Sequence, residues 1–382
     1  MTPNQEVIEL TKKLVEFKSV KDNPEELKRI VDFVADYLKG CGEIKKIELN
    51  GKPSLVATYT KTTNPDILLT GHLDVVEAEA DLFTPQIKGE KMFGRGAADM
   101  KGGAAIAILL FKEFAKLGEK ERPSLGLMLT TDEEIGGQDG IGKLVGDAGK
   151  YGCKFAIALE PNHPKEQGQL NITTKHKGTL WLKLTAKGKA AHASRPWLGE
   201  NAIENLLQIY QEIKKKFAKV EPEMWKPTVN IGKIEGGNSP NKIPDYAEAL
   251  IDIRFPEDFD KDKFMQEVAK ICGSKVEVEV IEYGNMLFNK EDANIELLQG
   301  CVEKQTGKKC LLLQEHGASD MRYFSARGIT AVLFGPNGAE YHGKGEFLDL
   351  ESIEPTYHAL KEFILKFKKS SRKDHRRQVK GS

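Results

Sequence analysis

The chain has 382 residues, with 57 Lys and Arg residues balanced by 57 Asp and Glu residues. This length is expected to form two domains, each with its own core. The balanced charge provides no field that attracts nucleic acid or an anionic membrane surface. No apolar run approaches the roughly 20 residues that cross a bilayer, and the first ten residues show no signal-peptide pattern, so a cytoplasmic protein is expected.

The five cysteines are scattered along the chain and include no CxxC pair. This spacing is typical of a reducing compartment and argues against a disulfide framework or a thiolate zinc site. Any metal must therefore be held by histidines and carboxylates.

Helical and strand patterns alternate over residues 1–176. Helical spacing of apolar residues predicts three helices, and short apolar runs bounded by turns predict three buried strands. The helices are predicted at residues 5–17, 24–38 and 103–117, and the strands at residues 67–70, 125–130 and 155–160. This alternation predicts an α/β fold with a mostly parallel sheet and helices on both faces, in which ligands bind beyond the carboxyl ends of the strands.

A different pattern occupies residues 177–288. Its elements follow the order strand, helix, strand, strand, helix, strand, which is the split βαβ arrangement of a ferredoxin-like α+β domain. Its strands are predicted at residues 179–188, 228–236, 246–255 and 275–283, and its helices at residues 201–217 and 260–271. Residues 289–368 return to the first pattern, so the smaller domain is an insertion in the larger one. The basic segment 369–382 has no apolar period and is expected to be a disordered, solvated tail, not a nucleic-acid-binding arm.

Polar residues follow each predicted strand of the first domain. Asp74 stands two residues after His72, where it is placed to accept a hydrogen bond from the imidazole. Two unit charges about 4 Å apart cost roughly 4 kcal/mol at an effective dielectric near 20, so the adjacent Glu133 and Glu134 require a nearby positive charge. A solvated turn would explain these charges alone. Because Glu160 ends a further strand at the same predicted edge, the pattern favours a metal site.

Asp99 lies in the glycine-rich segment GRGAADMKGG, residues 94–103. Glycines on both sides of it allow a tight turn of the backbone. The segment is not a dinucleotide-binding GxGxxG motif, because its sixth position is Asp99, and no Gly-Lys-Ser/Thr follows as in a P-loop. By itself, Asp99 fits a turn residue as well as a ligand.

Six motifs occur in an order and at a spacing that resemble the M20 family of co-catalytic zinc hydrolases. They are GHLDVV (71–76), GRGAADMKGG (94–103), TTDEEIGG (130–137), ALEP (158–161), KAAHAS (189–194) and EYHGKGE (340–346). That family includes acetylornithine deacetylase, succinyl-diaminopimelate desuccinylase, aminoacylase and glutamate carboxypeptidase. The resemblance implies the fold of the co-catalytic zinc aminopeptidases with an inserted lid or dimerisation domain. It also implies two zinc ions with these ligands: Asp99 and a water as bridges, His72 and Glu160 on one ion, and Glu134 and His342 on the other.

The same resemblance implies roles for residues around the metals. Glu133 is the general base that takes a proton from the attacking water and delivers it to the leaving amine. His192 reaches the carbonyl oxygen of the substrate and serves the active site of the other subunit of a homodimer. Asn241 in GGNSPNKIPD, Arg254 in DIRF and Ser319 in GASDMRYF are expected to contact the substrate. Alternatively, Arg254 forms a surface ion pair and Asn241 stabilises a turn. Cobalt or manganese also suits such a carboxylate-rich site.

Three motifs narrow the substrate class. GRGAADMKGG and GASDMRYF resemble the desuccinylase, whereas HKG at residues 176–178 resembles the deacetylase and aminoacylase branch. Glu160 matches the residue type that aminoacylases and carboxypeptidases of the family have at this position, whereas the family's aminopeptidases have Asp. These features favour cleavage of the amide bond of N-acyl amino acids, with a dipeptidase or carboxypeptidase acting on short peptides as the alternative. An inactive scaffolding protein is disfavoured, because Glu133 and all implied ligands are present.

Overall fold

The computed structural model describes residues 2–146, 149–162, 164, 166–222 and 224–378, with side chains as far as Phe367. Contacts divide the chain into two compact units. The first comprises Met1–Lys175, Leu287–Leu313 and Ser319–Ser382, and the second comprises His176–Met286 and Gln314–Ala318. The main boundaries lie beside the expected limits at residues 176 and 288. The segment Gln314–Ala318 differs, because the sequence pattern assigned it to the larger domain.

Helices and strands alternate through most of the chain. The strands, in chain order, are β1 (Glu43–Leu49), β2 (Lys52–Thr58), β3 (Ile67–His72), β4 (Gln86–Lys88), β5 (Lys91–Phe93), β6 (Leu125–Thr130), β7 (Phe155–Ala158), β8 (Ile172–His176), β9 (Gly178–Lys187), β10 (Thr228–Gly236), β11 (Tyr246–Phe255), β12 (Val276–Gly284), β13 (Leu287–Phe288), β14 (Leu312–Glu315), β15 (Thr330–Leu333), β16 (Gly338–Ala339) and β17 (Phe347–Asp349). The helices are α1 (Pro3–Val15), α2 (Pro24–Tyr37), α3 (Gly102–Ala115), α4 (Ile141–Val145), α5 (Ala202–Lys214), α6 (Lys261–Cys272), α7 (Ala293–Thr306), α8 (Met321–Ala326) and α9 (Ile353–Gln378). Across the described part of the chain, no helix has the length and apolar character that crossing a membrane requires.

The central sheet has the strand order β1-β2-β6-β3-β7-β15-β8-β13, with β14 paired to β8. The strands β6, β3, β7 and β15 are mutually parallel, whereas β1 and β2 join the edge antiparallel. A small antiparallel sheet, β16-β17-β5-β4, belongs to the same unit. The predicted mostly parallel α/β sheet is confirmed.

The register of the parallel strands brings the expected site residues to one edge. His72 at the end of β3 lies opposite Thr130 at the end of β6, and Thr70 lies opposite Ala158 at the end of β7. The residues that follow β6 and β7 in the chain therefore leave the sheet beside His72.

The helix α3 is buried along almost its whole length, as expected for a helix that is apolar on all sides. A Cβ atom built on Gly103 would lie 1.9 Å from the carbonyl oxygen of Leu159. Only glycine therefore allows the start of α3 to approach the chain just before Glu160. This close approach brings the turn that carries Asp99 to the same edge.

The second unit contains the antiparallel sheet β10-β11-β9-β12 and the helices α5 and α6. Burial alternates strictly along β11, with Ala247, Ala249, Ile251 and Ile253 buried, as expected for a sheet with one covered face. The order β9-α5-β10-β11-α6-β12 is the split βαβ arrangement that the sequence predicts. The fold of the inserted unit is therefore confirmed.

The last helix, α9, continues through residues 369–378, which the sequence pattern assigned to a disordered tail. No Pro or Gly occurs between Pro355, in the first turn of α9, and Gly381, and each further residue extends a helix that packing has already nucleated. The backbone of residues 369–378 is therefore helical, and the solvated tail stays a prediction. Residues 379–382 lie outside the described residues.

Candidate metal centre

Three predicted ligands meet beyond the carboxyl end of β3. The Nε2 atom of His72 lies 3.2 Å from Oδ1 of Asp99 and 3.7 Å from Oε1 of Glu160. One ligand atom from each residue lies within 4.8 Å of the others, so the three side chains can hold one metal ion. We call this cluster subsite A.

Asp99 also belongs to a second cluster. The Nε2 atom of His342 lies 3.4 Å from Oδ2 of Asp99 and 3.2 Å from Oε2 of Glu134. These three residues, which we call subsite B, likewise bring one ligand atom each within 4.8 Å of the others. The structure thus brings all five predicted ligands together in two clusters that share Asp99.

The two clusters concentrate negative charge around two imidazoles. Burial opposes protonation of His72, but the carboxylates of Glu160 and Asp99 raise its pKa well above the usual value. Hydrogen bonds with Asp99 and Glu134 raise the pKa of His342 to about 10. Burial disfavours the anion of Asp99, yet its contacts with both imidazoles lower its pKa. The site therefore attracts cations, and its mixture of imidazole nitrogens and carboxylate oxygens fits zinc, cobalt or manganese.

Glu133 lies beside the clusters without belonging to either. Its Oε2 atom is 4.0 Å from Nε2 of His72. Burial raises the pKa of Glu133 well above its ordinary value, and the charge of His72 acts in the opposite direction. A carboxylate that binds protons more tightly than usual, next to a cation site, is suited to act as a general base.

Asp74 supports the site in a way that differs from the prediction. The Nδ1 atom of His72 contacts the backbone oxygen of Asp74 at 2.9 Å, whereas the nearer carboxylate oxygen is 3.6 Å away. The Oδ2 atom of Asp74 instead accepts a hydrogen bond of 3.1 Å from the backbone N–H of Glu134. The chain turns after His72, which brings the carbonyl of Asp74 closer to the imidazole than its side chain. Burial raises the pKa of Asp74 to about 7.

Two buried residues behind the ligands were not predicted, although both lie within the quoted motifs. Glu346 accepts hydrogen bonds from the backbone N–H groups of Ala98 and Asp99, each at 3.1 Å. Arg95 forms an ion pair with Glu346 and donates to the carbonyl oxygen of His342. The signal available in the sequence was a pair of opposite charges in the two motifs, Arg95 in GRGAADMKGG and Glu346 in EYHGKGE.

Ser319 is buried just before α8, and its hydroxyl has no hydrogen-bond partner among the described residues. The adjacent Asp320, also buried, packs against the turn after Glu134, since a Cβ atom on Gly137 would lie 1.9 Å from its Oδ1 atom. Burial raises the pKa of Asp320 to about 7. Asp320 was missed by the sequence analysis, although it lies in the quoted GASDMRYF motif.

The remaining predicted residues belong to the second unit. The Nδ1 atom of the exposed His192 contacts the hydroxyl of Ser194 at 2.8 Å. The loop of His192 lies beside the loop of Asn241. The backbone N–H of Ala193, the residue after His192, donates a hydrogen bond of 3.0 Å to the carbonyl oxygen of Asn241. Arg254 donates to the carboxylate of Asp252 at 3.0 Å, which is the ion pair expected as its alternative role.

The structure thus places histidines and carboxylates that could hold metal ions beyond the carboxyl ends of a mostly parallel sheet, where ligands bind in such folds. The model of peptidase family M20/M25/M40 matches residues 68–366, and the chain therefore belongs to this family. This confirms the resemblance drawn from the motifs. Membership makes the protein a hydrolase of amide or peptide bonds.

Named relatives cover almost the whole chain. A succinyl-diaminopimelate desuccinylase of Pelagibacter ubique is 28% identical over 376 residues, which span 92% of this chain and 96% of that protein. An Aspergillus clavatus protein named "Probable carboxypeptidase" is 30% identical over 383 residues, with 92% of this chain and 87% of that protein covered.

Solved structures share the fold at lower identity. A tripeptidase from Staphylococcus aureus has a TM-score of 0.78 at 20% identity, with 96% of this chain and 99% of that chain covered. A dinuclear metal-binding peptidase of the M20 family from Bacillus subtilis has a TM-score of 0.68 at 15% identity, covering 96% of this chain and 99% of that chain.

Proposed function

We propose that the protein is a di-zinc amidohydrolase that cleaves the amide bond of N-acyl amino acids. The observation that carries this proposal is the position of Asp99. One of its carboxylate oxygens faces His72 at 3.2 Å, and the other faces His342 at 3.4 Å. A carboxylate that directs one oxygen to each cluster is suited to bridge two cations. Subsites A and B would then hold one ion each, and cobalt or manganese could replace zinc.

Bound metal ions would acidify water and polarise the carbonyl of the substrate. Glu133 accepts a proton from the attacking water and delivers it to the leaving amine. Its raised pKa suits the first step, because burial makes the carboxylate a stronger proton acceptor. Asp74 holds the imidazole of His72 through its carbonyl and the turn of Glu134 through its carboxylate.

The substrate class rests on the motifs and on the relatives. HKG at residues 176–178 favours an N-acyl amino acid, and the desuccinylase name of a relative is consistent with this choice. Glu160 fits aminoacylases and carboxypeptidases alike and argues only against an aminopeptidase. The second candidate is a metallopeptidase acting on short peptides. It is supported by the relative named as a carboxypeptidase and by the fold shared with a tripeptidase.

The proposal includes a homodimer formed through the second unit. Its strands β10 and β12 are the edges of an open sheet, and such edges can pair across a twofold axis. In this dimer His192 donates a hydrogen bond to the oxygen of the substrate carbonyl in the partner's active site. Asn241, Arg254 and Ser319 would contact the substrate, with the guanidinium of Arg254 exchanging Asp252 for a substrate carboxylate.

A hydrolysis screen tests this function. The zinc-loaded protein is incubated with N-acetyl-ornithine, N-succinyl-diaminopimelate, other N-acyl amino acids, dipeptides and tripeptides, and the released amine is measured. A clear preference in kcat/KM for one N-acyl amino acid is expected. Preference for unblocked peptides would favour the metallopeptidase over the amidohydrolase. Failure to hydrolyse any of these compounds would reject both functions.

A further inference from the structure

A buried ion pair lies behind the ligands of subsite B. The side chains of Arg95 and Glu346 are only 3% and 1% exposed, and one guanidinium nitrogen of Arg95, Nη1, pairs with Oε2 of Glu346. The other nitrogen, Nη2, donates to the backbone oxygens of His342 at 2.9 Å and Gly343 at 3.1 Å. Arg95 is thus bound to the main chain of a predicted ligand.

The second oxygen of Glu346 holds the other loop. Its Oε1 atom accepts the backbone N–H groups of Ala98 and Asp99, each at 3.1 Å. The ion pair therefore connects two segments that are distant in sequence, one carrying Asp99 and the other carrying His342. Neither Arg95 nor Glu346 belongs to a subsite.

The loop of His342 needs such support more than the strand of His72 does. The side chain of His342 is 54% exposed, and its backbone has φ of 60°, in the left-handed region that non-glycine residues rarely occupy. His72 is 2% exposed, at the end of a strand paired on both sides, and its Nδ1 atom is held by a carbonyl oxygen. The histidine of subsite A is therefore held by the sheet, whereas the histidine of subsite B depends on a loop.

We infer that Arg95 is a positioning residue that sets the metal affinity of subsite B by holding the main chain of His342. Glu346 has a wider effect, because it also holds Asp99, which both subsites share. This inference rests on the proposed metal centre. It adds that the two subsites owe their affinities to different parts of the chain, so that one substitution weakens one of them selectively.

The test variant, Arg95→Lys, follows from the difference between arginine and lysine side chains. The planar guanidinium of Arg95 directs two nitrogens to different acceptors, Glu346 and the His342 carbonyl, and a lysine ammonium lacks this fork. Arg95→Lys keeps the positive charge beside the buried Glu346, which protects the fold, but loses the rigid link to His342. Glu346→Gln removes the charge that pairs with Arg95 and leaves only a neutral, weaker acceptor for the N–H of Asp99.

Arg122 provides a matched control. Its guanidinium also holds main-chain oxygens, those of Ala115 at 2.9 Å and Leu117 at 2.8 Å. These contacts lie at the end of α3, and Arg122 precedes β6, whose opposite end leads to Glu133. Arg122→Lys therefore removes a comparable main-chain contact at a distance from both subsites.

The test measures zinc binding to the metal-free, full-length proteins by titration calorimetry and the metal content by mass spectrometry. The unsubstituted protein should bind two ions. Arg95→Lys should bind one ion with unchanged affinity and the other about 10–100-fold more weakly, as is typical for the loss of a residue that orients a ligand. Glu346→Gln should weaken both ions, and Arg122→Lys should bind both ions normally. The visible spectrum of bound cobalt should change for one of the two ions in Arg95→Lys.

The outcomes separate this inference from the proposed function. Fewer than two ions in the unsubstituted protein would reject the dinuclear centre itself. Two ions in that protein and unchanged binding in Arg95→Lys would reject only the positioning role, as would equal weakening of both ions. If Arg95→Lys does not give the circular dichroism spectrum of a folded protein, Glu346→Gln tests the inference in its place. Unchanged affinity for both ions in that variant would contradict the positioning role of the Arg95–Glu346 ion pair.

Discussion

The backbone N–H of Glu134 donates a hydrogen bond of 3.1 Å to Oδ2 of Asp74, and the carbonyl oxygen of Asp74 lies 2.9 Å from Nδ1 of His72. One residue thus holds a ligand of each subsite. Asp74→Ala should lower metal affinity by about 10–100-fold and reduce kcat, because the turn of Glu134 loses its acceptor. Asp74→Asn keeps an oxygen acceptor and should have a smaller effect. Calorimetric zinc titration and steady-state kinetics measure both effects.

The control for Asp74 is Asp66→Asn, since Asp66 pairs at the surface with Lys154 and lies before β3. It should leave metal binding and kcat unchanged. An Asp74→Ala protein with normal affinity for both ions would show that the link between the turn and the strand end has no role in binding.

The adjacent glutamates should respond differently to the same substitution. Glu133→Gln should lower kcat by about 100- to 10,000-fold while two ions stay bound, because it removes a proton acceptor that belongs to neither subsite. Glu134→Gln should instead weaken the ion of subsite B, since a charged ligand is lost. Metal content and kcat of both variants distinguish base from ligand. Loss of metal in Glu133→Gln with retention in Glu134→Gln would show that Glu133 is the ligand and Glu134 the base.

Metal binding should be essential for hydrolysis and should depend on pH. Chelation should abolish activity, and two equivalents of zinc or cobalt should restore it. The pKa of His342 is raised to about 10 and that of His72 is also raised, so protons compete with metal ions for both imidazoles. Metal binding must displace these protons, so affinity should increase as pH rises. Calorimetry in buffers of different ionisation enthalpy counts the protons, and full activity without metal would contradict the proposal.

Mixed dimers test the proposed role of His192. Glu133→Gln and His192→Ala should each be nearly inactive as homodimers. If His192 serves the partner's active site, mixing them under conditions of subunit exchange creates hybrid dimers with one intact site, and activity should return. Exchange is verified by mass spectrometry with differently labelled subunits. Exchange without recovered activity, or an active species that sediments as a monomer, would exclude service across the dimer.

The stability of the protein should fall in mild acid because of His176. Burial lowers the pKa of this imidazole to about 4, against about 6.5 in the unfolded chain. The unfolded state therefore binds more protons between these values. The contribution of His176 is fully present above pH 6.5 and is lost as the pH falls towards 4. Between pH 7 and pH 4.5 it amounts to roughly 2–3 kcal/mol of unfolding free energy.

Denaturant unfolding at the two pH values checks this loss. His176→Gln, which cannot titrate, should show a smaller decrease in unfolding free energy between pH 7 and pH 4.5. His358 on α9, whose side chain is 39% exposed, provides a control. The unfolding free energy of His358→Gln should decrease as much as that of the unsubstituted protein. An equal decrease in His176→Gln would rule out this residue as the source.

Much of the site is encoded in short segments of sequence. Apolar runs with turns at both ends predicted β3, β6 and β7, and parallel pairing places their carboxyl ends at one edge. Residues at or directly after the ends of those strands must reach that edge, which is why His72, Glu134 and Glu160 were expected to lie together. Their roles as ligands came from the resemblance to the M20 family. The hairpin of β1 and β2 was missed, because the edge strand EIKKIEL has charged residues in place of a clear apolar pattern.

Other features depended on the path of the backbone. Arg95 and Glu346 are 251 residues apart, and no local periodicity relates them; only the folding of both loops over the same edge brings them into contact. The motif His-x-Asp suggested that the carboxylate of Asp74 would hold His72, but the turn after β3 presents the carbonyl instead. The sequence by itself determined which residue types gather at the edge of the sheet, since strand period and pairing direction are local properties. Tertiary structure decided which atoms hold them, because hydrogen bonds depend on differences below 1 Å that only the complete packing determines.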